Sequence, residues 1–267
     1  MDHDFWVRQT GKLLFPELEW SRPETKTQAG KLLIIGGNQF GFVEPAEAYR
    51  EAEKAGIGTA RLLLPDSLRR YIGKTFTAGE LAPSNPSGSF GSKALASFLD
   101  NALWADGVLV AGGVGRNSET TVLLESFAQK YSGQITFTKD AADLFCQQPI
   151  SILHRQGTLL VVAMGQLRQL GVEAHFPRAF TGDMGLVQLV ENLHEFTKRF
   201  SVAIVTKHQK HFIVALNGQV STTAIATDPQ IWRVATAAHA SIWWLQNPSK
   251  PFEALTTATY MAASASS

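Results

Sequence analysis

Val108–Arg116 reads VLVAGGVGR, an aliphatic run that stops at Gly112-Gly113 and passes through Val114 and Gly115 to an arginine. The run Val108–Ala111 is apolar without alternation, which is what a strand covered on both faces of a sheet requires. Asn117–Lys130 (NSETTVLLESFAQK) follows at once, opens on good N-cap residues and closes before Gly133, so a helix is expected there. A strand, a glycine turn and a helix form one unit of an open parallel sheet.

The same unit recurs on either side. Lys31–Ile35, Ala60–Leu64, Gln134–Thr138, Thr158–Val162 and Val202–Val205 are short apolar runs that read as further strands. Glu44–Lys54 (EPAEAYREAEK) begins with acid and proline and stops at Gly56, as a helix should. In Met184–Arg199 the residues Leu186, Leu189, Val190, Leu193 and Phe196 mark one buried stripe. The C-terminal part differs: Phe212–Leu216 and Gln219–Ile225 flank Asn217-Gly218, a strong hairpin signal. Two helices, Pro229–Leu245 and Phe252–Ala263, then break at Asn247-Pro248. The fold expected is α/β, a mainly parallel sheet flanked by helices with a C-terminal antiparallel hairpin and helical pair. Residues 1–29 are read as an irregular lead-in and 30–267 as one domain, with Ala82–Gly91 (APSNPSGSFG) as a mobile loop.

Composition sets the outer limits. The 267 residues are 45% hydrophobic and 18% charged, which suffices for a sizeable core. Lys and Arg total 24 against 23 Asp and Glu, a balance that offers no broad surface for nucleic acid or acidic membrane. The single cysteine, Cys146, excludes an internal disulfide framework and suits a reducing compartment. Met1–Trp6 has no apolar signal region, and no apolar run reaches the roughly 20 residues of a membrane span. The tail Ser264–Ser267 is small and polar and is expected to fray. A cytoplasmic protein acting on a small molecule is the expectation.

Sites in open parallel sheets lie at the carboxyl ends of the strands. Gly36-Gly37-Asn38 follows one strand, and Gly112-Gly113-Val114-Gly115-Arg116 another. Glycines at the second can aim N–H groups at one anion, helped by the following helix; they can equally be plain turn glycines. Neither segment is a Walker loop. Asp140 and Asp143 could hold a metal or accept a proton, but cap and first-turn roles in the next helix are preferred. Lys207-His208-Gln209-Lys210-His211 is the most basic stretch; Lys207 at a strand end could reach a phosphate. Metal binding by His208 and His211 is disfavoured against a solvated hairpin edge, since no acid or thiol partner stands nearby. Asp183 reads as an ordinary helix-start acid. Trp232, Trp243 and Trp244 read as core or interface, consistent with a homo-oligomer.

Taken in order, several segments resemble the nucleotide-dependent NAD(P)H-hydrate dehydratases, a branch of the ribokinase-like superfamily. Lys26–Gly37 (KTQAGKLLIIGG) is similar to that family's His-Lys-Gly-Asp-x-Gly lead-in and first Gly-Gly strand. Ala52–Pro65 (AEKAGIGTARLLLP) resembles its Ala-x-x-x-Gly-x-Gly segment. GGVGR at Gly112–Arg116 resembles Gly-Pro-Gly-Leu-Gly-Arg, and DAADL at Asp140–Leu144 resembles Asp-Ala-Asp-Ala-Leu. Gly165-Gln166-Leu167 falls where the family has Gly-Glu-Phe, and Val205-Thr206-Lys207 where it has a Leu-Lys-Gly strand end.

The resemblance implies a ribokinase-like fold and a chemistry in which ATP or ADP, with Mg2+, phosphorylates the hydroxyl of hydrated NADH or NADPH, after which phosphate leaves. It implies nucleotide or phosphate binding by Gly112, Gly113, Gly115, Arg116 and Lys207, with Gly36, Gly37, Asn38 and Asp140 facing the substrate pocket. The family's Gly-Thr-Gly-Asp, at the start of the penultimate helix, supplies an anion hole and the proton-accepting Asp. Here that segment is matched to Ala235-Thr236-Ala237-Ala238, followed by His239, so both glycines and the base are missing. Val161-Val162-Ala163 replaces Thr-Pro-His, and His208 replaces the Gly after Lys207. The expectation is a nucleotide-binding relative that is catalytically impaired or inactive. The alternatives are an active dehydratase or small-molecule kinase with its base elsewhere, and a structural oligomer subunit.

Overall fold

The computed structural model describes residues 4–72, 79–226 and 231–264. The N-terminal Met1–His3, the tail beyond Ser264 and the expected helix start at Pro229 lie outside the described residues.

Among the described residues ten strands form one sheet: β1 (Trp6–Gln9), β2 (Lys31–Gly36), β3 (Thr59–Pro65), β4 (Gly79–Ala82), β5 (Gly107–Gly112), β6 (Gln134–Thr138), β7 (Thr158–Val162), β8 (Ala203–His208), β9 (His211–Leu216) and β10 (Gln219–Ala224). Their order is β1-β10-β9-β8-β7-β6-β5-β2-β3-β4. From β4 to β8 every pairing is parallel; β9 runs antiparallel to both neighbours, and β1 adds to β10 in parallel.

The longer helices are α2 (Val43–Lys54), α4 (Leu95–Trp104), α5 (Ser118–Lys130), α6 (Lys139–Gln147), α7 (Met164–Glu173), α8 (Leu186–Arg199), α9 (Arg233–Gln246) and α10 (Pro251–Ser264), with short turns α1 (Pro16–Trp20) and α3 (Arg69–Ile72). Successive strand residues point to opposite faces, and both faces are apolar. Leu33, Ile35, Val108, Val110, Ile135 and Phe137 pack against α4 to α8. Leu32, Ile34, Leu109 and Ala111 pack against α2, α9 and α10. This double coverage is why the strands read as unbroken apolar runs.

The structure departs from the sequence expectation at the edges. The lead-in contains β1, whose Gln9 side chain donates to Thr223 Oγ1 at 3.1 Å and to the Thr256 carbonyl at 3.2 Å. β8 and β9 form a second hairpin, turned at Gln209 with φ +51°. The Ala82–Gly91 loop is a bonded turn rather than a free one. Ser84 N donates to Asp66 Oδ1 at 2.9 Å, Ser87 N to Asn85 Oδ1 at 3.0 Å and Gly91 N to Pro83 O at 3.0 Å. Gly88 O accepts from both Gln39 N and Ser67 Oγ, and Asn85 reaches Asn117 at 3.2 Å. With its polar groups satisfied, this loop packs down on the glycine turn after β5.

Candidate functional site

The parallel strands deliver the first turns of α2, α6 and α7 to the carboxyl edge of the sheet, where α9 also starts. The glycine turn after β5 lies at the centre of this edge. Gly112, Gly113 and Gly115 have φ of +107°, +71° and +78°, so the turn is left-handed almost throughout. A Cβ at Gly112 would meet the Lys139 side chain at 2.6 Å, and one at Gly115 would meet Ser89 Oγ at 2.5 Å. Gly37 N donates to Gly112 O at 3.1 Å, and Asn38 Nδ2 to Gly113 O at 2.7 Å. The two glycine segments of the sequence are therefore one bonded unit.

Two N–H groups of that unit already have acceptors within the protein. Gly113 N donates to Asp140 Oδ1 at 2.7 Å and Gly115 N to Asp140 Oδ2 at 2.9 Å. This corrects two expectations. Gly112, Gly113 and Gly115 form a nest, but Asp140 fills it; and Asp140 does not cap α6, whose N-cap position is Thr138. Lys139, with φ +56°, supplies the turn that swings Asp140 under the loop. Burial pushes the Asp140 carboxyl above its ordinary range and the neighbouring Glu44 adds to this, while the Gly115 and Gly113 N–H groups pull the other way.

Asp143, one turn on, has different partners. Its Oδ2 meets the Arg116 guanidinium at 3.0 Å, and its Oδ1 accepts from Gln166 Nε2 at 2.7 Å. Arg116 is 77% exposed in its side chain and is drawn to α6. The carboxylates of Asp140 and Asp143 thus do not act as a pair. Among the described residues, no three His, Cys, Asp or Glu side chains gather to hold a metal. The Mg2+ that the resemblance implies finds no cage built from such donors among the described residues.

Gln166 joins three helix starts. Its Nε2 donates to Lys139 O at 2.7 Å as well as to Asp143, and its Oε1 accepts from Ala163 N at 2.9 Å and from Arg233 Nη1 at 2.9 Å. The side chain is buried, and all its hydrogen-bonding capacity on this count is used. Arg233 is the first residue of α9. Beside it, Lys207 Nζ lies 5.9 Å from the centre of the Trp232 ring, which brings the strand-end lysine to the start of α9. Lys139 is close enough to Glu47 of α2 to hold its carboxyl down, against burial, which acts more strongly and raises it.

The position of Ala235–Ala238 differs from expectation. The helix begins at Arg233, and Thr236 N already donates to Trp232 O at 2.9 Å. The N–H groups left unused by the helix belong to its first turn. Ala237 and Ala238 come later, on the face packed into the core, both at 0% exposure. His239 is also buried, 3.4 Å from Glu51 Oε2, away from the strand ends. His208 Nε2 meets Met184 O at 2.8 Å, and the ring is buried rather than on a solvated edge. Asp183 lies in the exposed connection ahead of α8.

Sequence reasoning named Asp140, Lys207, Arg116 and the glycines, and the structure brings all of them to one edge. It missed Gln166 as a hub, Arg233, Lys139, Glu44 and Glu47. Glu44 was visible only as a helix-start acid, and the Arg233–Gln166 contact spans 67 residues, beyond the reach of any local pattern.

No protein-family model matches the chain, and no curated protein matches it in sequence. Solved structures do match. A ribokinase-like superfamily protein from Enterococcus faecalis is 15% identical with TM-score 0.71, covering 98% of this chain and 88% of that one. ADP/ATP-dependent NAD(P)H-hydrate dehydratase from Bacillus subtilis, co-crystallised with ATP and Mg2+, is 12% identical with TM-score 0.64, covering 96% and 88%. A pyrophosphate-dependent kinase of the ribokinase family, in a sulfate complex, is 11% identical with TM-score 0.50, covering 87% and 92%. At these identities the likeness is one of fold: a helix-covered, mainly parallel sheet with its antiparallel C-terminal strands, carrying the candidate site on its carboxyl edge, is the ribokinase-like architecture.

Proposed function

We propose that this chain is a divergent, nucleotide-binding relative of the NAD(P)H-hydrate dehydratases that takes the polyphosphate of ATP or ADP at the start of α9 and does not carry out efficient phosphoryl transfer. The observation that carries the reading is the cationic start of α9: Arg233 in the first turn, fixed by Gln166, with Lys207 beside Trp232. Phosphoryl transfer relies on anion binding plus a positioned base. The first supports binding here, whereas α9 carries no acid in its first turn. A positioned general base typically contributes about 10²–10⁴-fold, so its loss leaves binding without useful turnover.

Calorimetric titration of the full chain with ATP and ADP, with and without Mg2+, tests the binding half. Binding that weakens in Arg233→Gln supports the reading, and absence of binding to either nucleotide overturns it. Incubation with hydrated NADH and ATP or ADP tests the other half, since restored NADH would show an active dehydratase. One observation favours that second reading: Glu47, near Lys139 on this edge, has its carboxyl raised by burial, a property of general bases. In that case Glu47→Gln abolishes the turnover.

A further inference from the structure

Gln166 occupies an unusual electrical position. It touches one charge of each sign, Arg233 through Oε1 and Asp143 through Nε2, and is itself neutral. The backbone completes the pattern, with Ala163 N–H facing Oε1 and Lys139 C=O facing Nε2. Only a carboxamide satisfies two donors on one atom and two acceptors on the other. A glutamate of the same shape would set a carboxylate directly on the guanidinium and turn its other oxygen against Lys139 O and Asp143.

We propose that Gln166 is the positioning residue that keeps Arg233 fixed and, among the described residues, unpaired with any carboxylate, and so makes Arg233 the selector for a multiply charged phosphate anion. The inference rests on the proposed polyphosphate reading and adds to it a residue that reads the ligand's charge. In the arrangement seen, the nearest negative group of the hub, Asp143, is engaged by Arg116 at 3.0 Å and reaches Arg233 only through the amide. An ion pair made directly on Arg233 would compete with an incoming anion; a hydrogen bond to an amide oxygen orients the guanidinium and leaves its charge in place.

The test moves a negative charge by one side chain while holding net charge constant. Gln166→Glu combined with Asp143→Asn keeps a donor facing an acceptor between the two positions and places the carboxylate on Arg233. Inorganic tripolyphosphate is the probe, titrated calorimetrically into full-length wild type, Arg233→Gln, Gln166→Glu and the double variant, at low and at physiological ionic strength. Thermal unfolding of each variant controls for folding. The expected result is that the folded double variant binds on the order of tenfold more weakly than wild type and loses most of its salt dependence, matching Arg233→Gln. A purely structural role predicts lower stability with an unchanged salt dependence. If wild type and the double variant bind tripolyphosphate equally while Arg233→Gln is weakened, the role of Gln166 is overturned and the polyphosphate site stands. If wild type does not bind tripolyphosphate, the site itself is overturned and this inference falls with it. Should Gln166→Glu alone fail to fold, the double variant carries the decision; should that also fail, Gln166→Met, which holds Arg233 in neither way, is expected to bind with intermediate affinity, and wild-type affinity in it overturns the proposal.

Discussion

Asp140 Oδ1 accepts the N–H of Gly113 at 2.7 Å, so a side chain of the protein fills the seat that its glycine turn prepares. The turn has the shape of an anion nest and acts as a structural clasp between β5 and α6.

Removing the clasp should expose the nest. Asp140→Ala is expected to lose about 1–3 kcal/mol, because the Gly113 and Gly115 N–H groups lose their acceptor while a buried carboxylate is relieved. Added sulfate should restore part of this stability in the variant and much less in wild type. Thermal unfolding with a sulfate series decides it, and equal sulfate effects in both proteins would show that the nest stays closed.

Installing the missing acid at Ala238 should fail. That position is fully buried in the second turn of α9, so Ala238→Asp puts a carboxylate into the core rather than at the site. A loss on the order of 3–5 kcal/mol in chemical denaturation, with no gain in turnover of hydrated NADH, is the expected outcome. A stable, active variant would mean that the segment sits differently in solution.

His239 should make stability fall on the acid side. Burial depresses the affinity of its ring for a proton, with Glu51 acting in the opposite sense and more weakly. The unfolded chain therefore binds the proton more readily, and stability present above the unfolded value of about 6.5 is lost as pH falls below it. His211 is shifted in the same direction, again by burial first. Denaturation midpoints from pH 7.5 to 5 should decline in wild type, and His239→Gln should flatten the slope in part; an unchanged slope would remove His239 as a cause.

Arg155 is expected to be among the costlier residues to lose. Its guanidinium donates to Ala128 O at 2.9 Å, Gly133 O at 2.7 Å and Thr158 Oγ1 at 2.9 Å, and also to Tyr131 O. It pins the end of α5 to the start of β7. Arg155→Met keeps the stem and strips the donors, and should cost about 2–5 kcal/mol in urea denaturation. A change within about 0.5 kcal/mol would mean that solvent satisfies these carbonyls without help.

Local pattern and spatial result agree best where burial is two-sided. Leu32–Ile35 and Val108–Ala111 are unbroken apolar runs because helices cover both faces, and such runs are legible alone. β4, four residues reading GELA at the sheet edge, carries no such signature. Matching Ala235–Ala238 to the family's helix-start motif put them at the site, whereas α9 begins at Arg233 and Ala237 and Ala238 pack in the core. Asp140 was recognised as important, but its partner depended on the left-handed turn at Lys139, which no propensity favours. Gln166 and Arg233 acquire meaning only when the starts of α7 and α9 are laid side by side.

The pairing of β1 with β10 carries a consequence for biogenesis. Trp6 aligns with Val220, and Gln9 with Thr223, so an early segment of the nascent chain meets its neighbour only after more than two hundred further residues have been translated. Closing so long a loop is slow relative to the local strand–helix units between, which can assemble as they emerge. β1 precedes the other described strands in the chain, yet it cannot join the sheet until β10 has been made, so it waits unpaired while the units between them assemble.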